Sequence, residues 1–205
     1  MRKVKIFLDV DGVLLDFNTG FMNMIKNEYP KYYQSHCNIP EIVSSLVAAG
    51  EVNEPALLFM KFMREEHFSM LPSLVNPSDV IKLKEIGEVN FLTNIIEDGV
   101  PQRRKNLDDL GINFGEIFLG GLEQYGNPNY PRKSDIIKNQ TTPDDIIIFL
   151  DDLSENYDDV ISGVPHSFPF VMRSFENQFS VLDGYKVIKY FKDFPNEILS
   201  LIGNK

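Results

Sequence analysis

The chain has 205 residues, 43% of them hydrophobic and 24% charged, with a net charge of −10. That length gives one domain, or one domain carrying an insert, with a core that needs no staples. The composition excludes wholesale disorder, and so acidic a chain lacks the basic face of a non-specific binder of nucleic-acid polymer or anionic membrane.

Val4–Leu8 is apolar, rich in β-formers and ends at Asp9, which predicts the first strand. Helical patterns follow at Gly20–Glu28, Pro40–Ala49 and Pro55–His67. Asn76-Pro-Ser-Asp79 opens a further helix reaching Ile86, with Pro just inside its start and Gly87 just past its end. Val89–Leu92 predicts a strand ending at Thr93-Asn94, followed by a helix from Gly99 to Leu110. Ile117–Leu119 predicts a third strand, and a helix begins near Lys133. Ile146–Leu150 predicts a strand ending at Asp151-Asp152, after which Ser154 is placed to cap a helix running to Ile161. Phe168–Met172 and Tyr185–Ile188 predict two more strands.

Continuous apolar runs suit strands buried on both faces, hence a parallel sheet. Their alternation with helices predicts an α/β, doubly wound (Rossmann-like) core. A βαβ unit needs about 30 residues, yet Thr93 lies 84 residues after Asp9. The surplus, 18–75, predicts a small helical cap inserted after the first strand, with 1–17 and 76–205 forming the core.

Cys37 is the single cysteine, so no intramolecular disulfide forms, which suits a reducing compartment. No apolar run approaches the roughly 20 residues of a membrane span. A cytoplasmic protein with no membrane partner is expected. His36, His67 and His166 form no metal-ligand pattern, and Cys37 beside His36 reads as a buried small hydrophobe.

In doubly wound sheets ligands sit outside the carboxyl ends of the strands. The first strand delivers Asp9-Val-Asp11-Gly12 there, and the fourth delivers Asp151-Asp152. In the usual strand order these two strands are neighbours, so three or four carboxylates converge. Like charges that close call for a cation or a proton between them. Clustered oxygen ligands beside a phosphate favour Mg2+. An EF-hand loop is excluded, because Val13 and Leu14 stand where a ligand and the turn glycine belong.

The ordered set Ile6-Phe-Leu-Asp9-Val-Asp11-Gly, Phe91-Leu-Thr93-Asn94, Lys133 and Phe149-Leu-Asp151-Asp152-Leu-Ser-Glu-Asn156 resembles the haloacid dehalogenase superfamily of aspartate-dependent phosphotransferases. The inserted cap stands where that family places its C1-type caps. The opening through Leu15, Asp16 and Phe17 resembles the 5'(3')-deoxyribonucleotidase branch. Thr93-Asn94-Ile95 departs from that branch, which usually has Thr-Ser-Pro.

The resemblance implies a small-molecule phosphate ester as substrate, with nucleotides favoured. It makes Asp9 the nucleophile and Asp11 the general acid/base. Thr93, Asn94 and Lys133 would hold the phosphoryl group. Mg2+ would be held by Asp9, the Asp11 carbonyl and Asp152, with Asp151 and Asn156 as supports. Where Asn156 stands many relatives carry Asp. Lys133 is preferred over Arg132, Lys138, Arg103 and Arg104 as the site cation, because it opens the helix leading into the fourth strand. Arg103 and Arg104 are expected on the solvent face of the Gly99–Leu110 helix. Asp16, Phe17 and Asn18, at the cap hinge, are candidate contacts to the leaving group. The same core also supports a phosphomutase or phosphotransferase, or a catalytically silent binding module.

Overall fold

The computed structural model describes residues 2–33, 38–122, 124–125, 127–174, 177 and 180–203. His36 and Cys37 lie outside the described residues.

The elements run β1 (Val4–Leu8), α1 (Phe17–Glu28), α2 (Ile39–Ala48), α3 (Pro55–Arg64), α4 (Pro77–Lys82), β2 (Glu88–Thr93), α5 (Val100–Asp109) and β3 (Ile117–Leu119). They continue α6 (Lys133–Gln140), β4 (Ile146–Asp151), α7 (Ser154–Gly163), β5 (Phe168–Met172), β6 (Val187–Ile188) and α8 (Phe194–Gly203). All six strands are parallel and stand in the order β3-β2-β1-β4-β5-β6. The doubly wound prediction holds.

Alternation along each strand divides the core between the two faces of the sheet. Phe7, Leu92, Ile147 and Phe149 pack with Ile136 and Ile137 of α6 and Val160 of α7. Ile6, Leu8, Phe91, Ile148 and Leu150 belong to the larger cluster, with Val80, Leu107, Phe194 and Ile198 of α4, α5 and α8. Both faces are therefore covered, as a parallel sheet requires.

The helices between β1 and α4 share that larger cluster through Phe21, Met24, Ile42, Leu46, Leu58 and Phe62. Phe17, Phe21, Phe59, Phe62 and Phe68 interlock there, with ring centroids 5.0 to 6.4 Å apart. Asn38 and Glu41 form a reciprocal capping box on α2. The chain leaves for the insert and returns by two segments held together. The Asp16 N–H donates to the Pro72 carbonyl, and the Leu74 N–H to the Leu14 carbonyl, each at 2.8 Å.

Several boundaries differ from the sequence reading. Helix α1 begins at Phe17, because the Asp16 side chain accepts from the Thr19 N–H and caps it. The helix opened by Asn76 tightens into a 3₁₀ turn at Leu83–Glu85. Ser154 is the first helical residue of α7 rather than its cap, a position taken by Leu153 without a side-chain bond. The sixth strand shrinks to Val187–Ile188, and α8 was not foreseen. Among the described residues, no helix is long and apolar enough to cross a membrane.

Phe62 is fully buried and touches three rings of the cluster. Phe62→Ala is expected to cost about 3–5 kcal/mol, read as a lowered urea midpoint.

Candidate active site

The ends of β1 and β4 lie side by side. Leu8 pairs with Leu150, and the Asp9 N–H donates to the Leu150 carbonyl at 2.8 Å. That register sets Asp9 next to Asp151 at the carboxyl edge of the sheet. The chain then turns sharply, with the Leu14 and Leu15 N–H groups both donating to the Val10 carbonyl at 2.9 Å. Gly12 sits in this turn at φ +76°, and a Cβ there would stand 2.2 Å from Asp152 Oδ2. Glycine meets two needs at once, a left-handed backbone and room for the Asp152 carboxylate.

The carboxylate oxygens of Asp9, Asp151 and Asp152 lie within 4.8 Å of one another, and all three residues are buried. Lys133, only 1% exposed, donates from Nζ to Asp9 Oδ1 at 2.7 Å and to Asp151 Oδ2 at 2.6 Å. Asp151 Oδ1 also accepts from the Leu153 N–H at 2.9 Å, and Asn156 Nδ2 stands 3.1 Å from both Asp151 oxygens. Asp152 is held through its backbone, its carbonyl accepting from Asn177 Nδ2 at 2.6 Å.

Three carboxylates against one ammonium leave two negative charges in excess. In a buried site that excess calls for protons or a cation. Burial pushes the Asp9 carboxyl up to about 7. Lys133 opposes the shift, and Asp151 and Asp11 add to it. Burial alone would lower the Lys133 ammonium, but Asp151 and Asp9 outweigh it and hold it above its ordinary value.

Asp11 lines the cavity that opens over this cluster, with a cation of its own. Its carboxylate is not among the three clustered acids. Both its oxygens face Arg103 Nη2, at 2.6 Å each, and the Thr93 hydroxyl lies 3.5 Å from Oδ2. Arg103, expected on a solvent face, is completely buried. The pattern that gives it away is helical spacing. Val100, Arg103, Leu107 and Leu110 follow one stripe of α5, and the stripe faces inward. Arg104 is also drawn in, donating to the Ile112 and Gly115 carbonyls at 3.1 Å each.

A cavity of about 210 Å³ opens over this cluster. Asp9, Asp11, Gly12, Lys133, Asp152 and Asn156 supply its polar wall, and Phe17, Met63 and Tyr125 an apolar one. Asn94 reaches the wall, and its buried Oδ1 has no hydrogen-bond partner among the described residues. Thr93 is wholly buried and is not a lining residue. Asp16 and Asn18 are not brought to this cavity. They line a separate one of about 500 Å³, and the Asp16 carboxylate is engaged by Thr19. Phe17 lines both.

No family model and no curated protein matches the sequence. Solved structures do match, over nearly the whole chain. A haloacid dehalogenase-like family hydrolase from Streptococcus pneumoniae is 16% identical with a TM-score of 0.64, covering 98% of each chain. A protein of Bacillus subtilis, described provisionally as a haloacid dehalogenase-type hydrolase and bound to magnesium, is 13% identical with a TM-score of 0.60, covering 97% of this chain and 99% of its own. An L-2-haloacid dehalogenase from Xanthobacter autotrophicus is 10% identical with a TM-score of 0.61, covering 98% of this chain and 100% of its own. The chain has the haloacid dehalogenase-like fold.

Two outcomes test this geometry. Gly12→Ala should cost about 1–3 kcal/mol in backbone strain and displace Asp152, read as a lowered melting temperature. The second concerns Asp9, whose folded value of about 7 exceeds its ordinary 3.8. The folded state keeps a proton that the unfolded chain has lost. That stabilisation is complete below about pH 3.8 and is lost as pH rises through 7. In metal-free protein, Asp9→Asn should flatten the decline of melting temperature across that window.

Proposed function

We propose that this chain is a phosphatase of small phosphate monoesters that works through an aspartyl-phosphate on Asp9. The observation that carries the reading is Asp9 itself. It is a buried carboxylate lining a cavity, gripped by Lys133, with a second acid two residues away. Phosphate monoester hydrolysis is among the slowest uncatalysed reactions, and a carboxylate nucleophile divides it into two easier steps.

In the first step an Asp9 oxygen bonds to phosphorus as the bond to the ester oxygen breaks. Asp11 gives its proton to the departing oxygen. In the second, a water oxygen attacks the same phosphorus, Asp11 takes the water's proton, and the Asp9 carboxylate leaves. Lys133 offsets the charge of the incoming phosphoryl group, which would otherwise approach a cluster of carboxylates at high cost. Asn94 offers its amide at the wall. The sequence reading gives Thr93 a share in holding the phosphoryl oxygens, although its hydroxyl faces Asp11.

The oxygens of Asp9 and Asp152, with Asp151 beside them and the Asp11 carbonyl, suit a hard divalent cation, and their excess of two negative charges equals the charge of one. Bound Mg2+ would draw negative charge from the phosphoryl oxygens. The magnesium in the Bacillus subtilis structure supports that choice. Residues 18–75 act in this reading as a cap that shields the site from water. Phe17, Met63 and Tyr125 give the leaving group an apolar and aromatic wall, so nucleoside monophosphates are the substrate class of first choice.

A screen of nucleotides, sugar phosphates and phospholipid head-group phosphates, with and without Mg2+, tests the proposal. Inorganic phosphate should appear only with Mg2+, and Asp9→Asn should cut turnover by about 10³-fold or more. Retained activity in Asp9→Asn would refute the covalent route. Phosphate delivered to an alcohol acceptor in place of water would mark a transferase.

A further inference from the structure

Arg103 is a buried charge that the two steps above do not use. It is completely buried, yet its Nε and Nη1 have no hydrogen-bond partner among the described residues. What holds it is Asp11 on one side and a ring on the other. Nη2 stands 2.6 Å from each Asp11 oxygen, and the guanidinium carbon lies 4.5 Å from the Phe68 ring centre. A buried guanidinium carries a large desolvation cost unless its partners are well placed. Such a pair fixes geometry even where it adds little stability.

Phe68 belongs to the 3₁₀ turn Glu66–Met70, on the segment by which the chain returns from the inserted helices. One helical turn beyond Arg103, Asn106 clasps the same segment. Its Nδ2 donates to the Phe68 carbonyl at 2.7 Å, and its Oδ1 accepts from the Leu71 N–H at 3.3 Å. Helix α5 thus ties the Asp11 side chain to the return from the insert.

We propose that Arg103 is a positioning residue for the second half of the reaction, holding the Asp11 carboxylate where it takes a proton from the water that attacks phospho-Asp9, and that Phe68 links this position to the inserted helices. The inference rests on the phosphatase reading. It assigns Arg103 no contact with substrate. In the water step the new bond is from water oxygen to phosphorus and the broken bond is from phosphorus to Asp9. The proton moves to Asp11, whose orientation Arg103 sets.

The test separates the two half-reactions with p-nitrophenyl phosphate, whose leaving group departs without a proton. Arg103→Met and Arg103→Lys are compared with the intact chain in the presence of Mg2+, by rapid mixing and in the steady state. The inference expects kcat to fall by about tenfold or more, while kcat/KM, which reports formation of the phosphoenzyme, stays within about twofold. The initial burst should rise toward one p-nitrophenolate per chain. The lysine variant, which keeps the charge without the planar fork, should fall between the methionine variant and the intact chain. Phe68→Leu should move the same ratio in the same direction.

A merely structural role would lower kcat and kcat/KM together and leave the burst unchanged, and that result overturns the inference. So does a variant in which neither constant moves. If Arg103→Met does not fold, by circular dichroism, the lysine and Phe68→Leu variants decide the matter by the same ratio. An intact chain that releases no phosphate from any ester overturns the phosphatase reading and this inference with it. An active intact chain whose variants show no split overturns the inference alone.

Discussion

Two neighbouring parallel strands end in carboxylates, and the molecule has to make that tolerable. Register alone sets Asp9 against Asp151, and the side-chain-free Gly12 leaves room for Asp152, the next residue off β4. Three buried acids this close are unfavourable without positive charge. Lys133 supplies one unit by bridging Asp9 and Asp151, and it can do so because α6 starts at this edge of the sheet. The remaining two negative charges are what protons or a divalent cation would offset.

The two aspartates of the first motif have different cationic partners although only one residue divides them. Asp9 faces Lys133 and the acidic cluster, and Asp11 faces Arg103 and Thr93. Residues two apart leave a strand on the same side, and both line the one cavity; what differs is the partner, Lys133 of α6 for Asp9 and Arg103 of α5 for Asp11.

The helices between β1 and α4 are joined to the core through a continuous apolar cluster and through polar links. The apolar part runs through the interlocked phenylalanines. The polar part runs from the Phe68 and Leu71 backbone to Asn106. The same helix, α5, carries both Asn106, which holds the return segment, and Arg103, which faces the Asp11 side chain.

The sheet was legible in the sequence because both its faces are buried, so its strands read as largely apolar runs, unbroken in β4 and interrupted by Lys5 in β1 and Asn90 in β2. The insert was legible as excess length between Asp9 and Thr93. The meeting of Asp9 with Asp151 and Asp152 followed from strand order, and Lys133 from its place at a helix start. Local patterns did not reveal α8 or the early start of α1, which depends on a side-chain cap at Asp16. Arg103 was hidden for a different reason. A charge is read by default as solvated, so its place on the apolar stripe of α5 was passed over, and packing of α5 against the return segment encloses it. Asp16 and Asn18 were read as candidate contacts from their place at the cap hinge, whereas they line the neighbouring cavity, which shares Gly12 and Phe17 with the first. Chain periodicity and spacing determined which residues arrive at the edge of the sheet. Side-chain partnership across elements far apart in sequence decided what each one faces, because that depends on contacts no local pattern encodes.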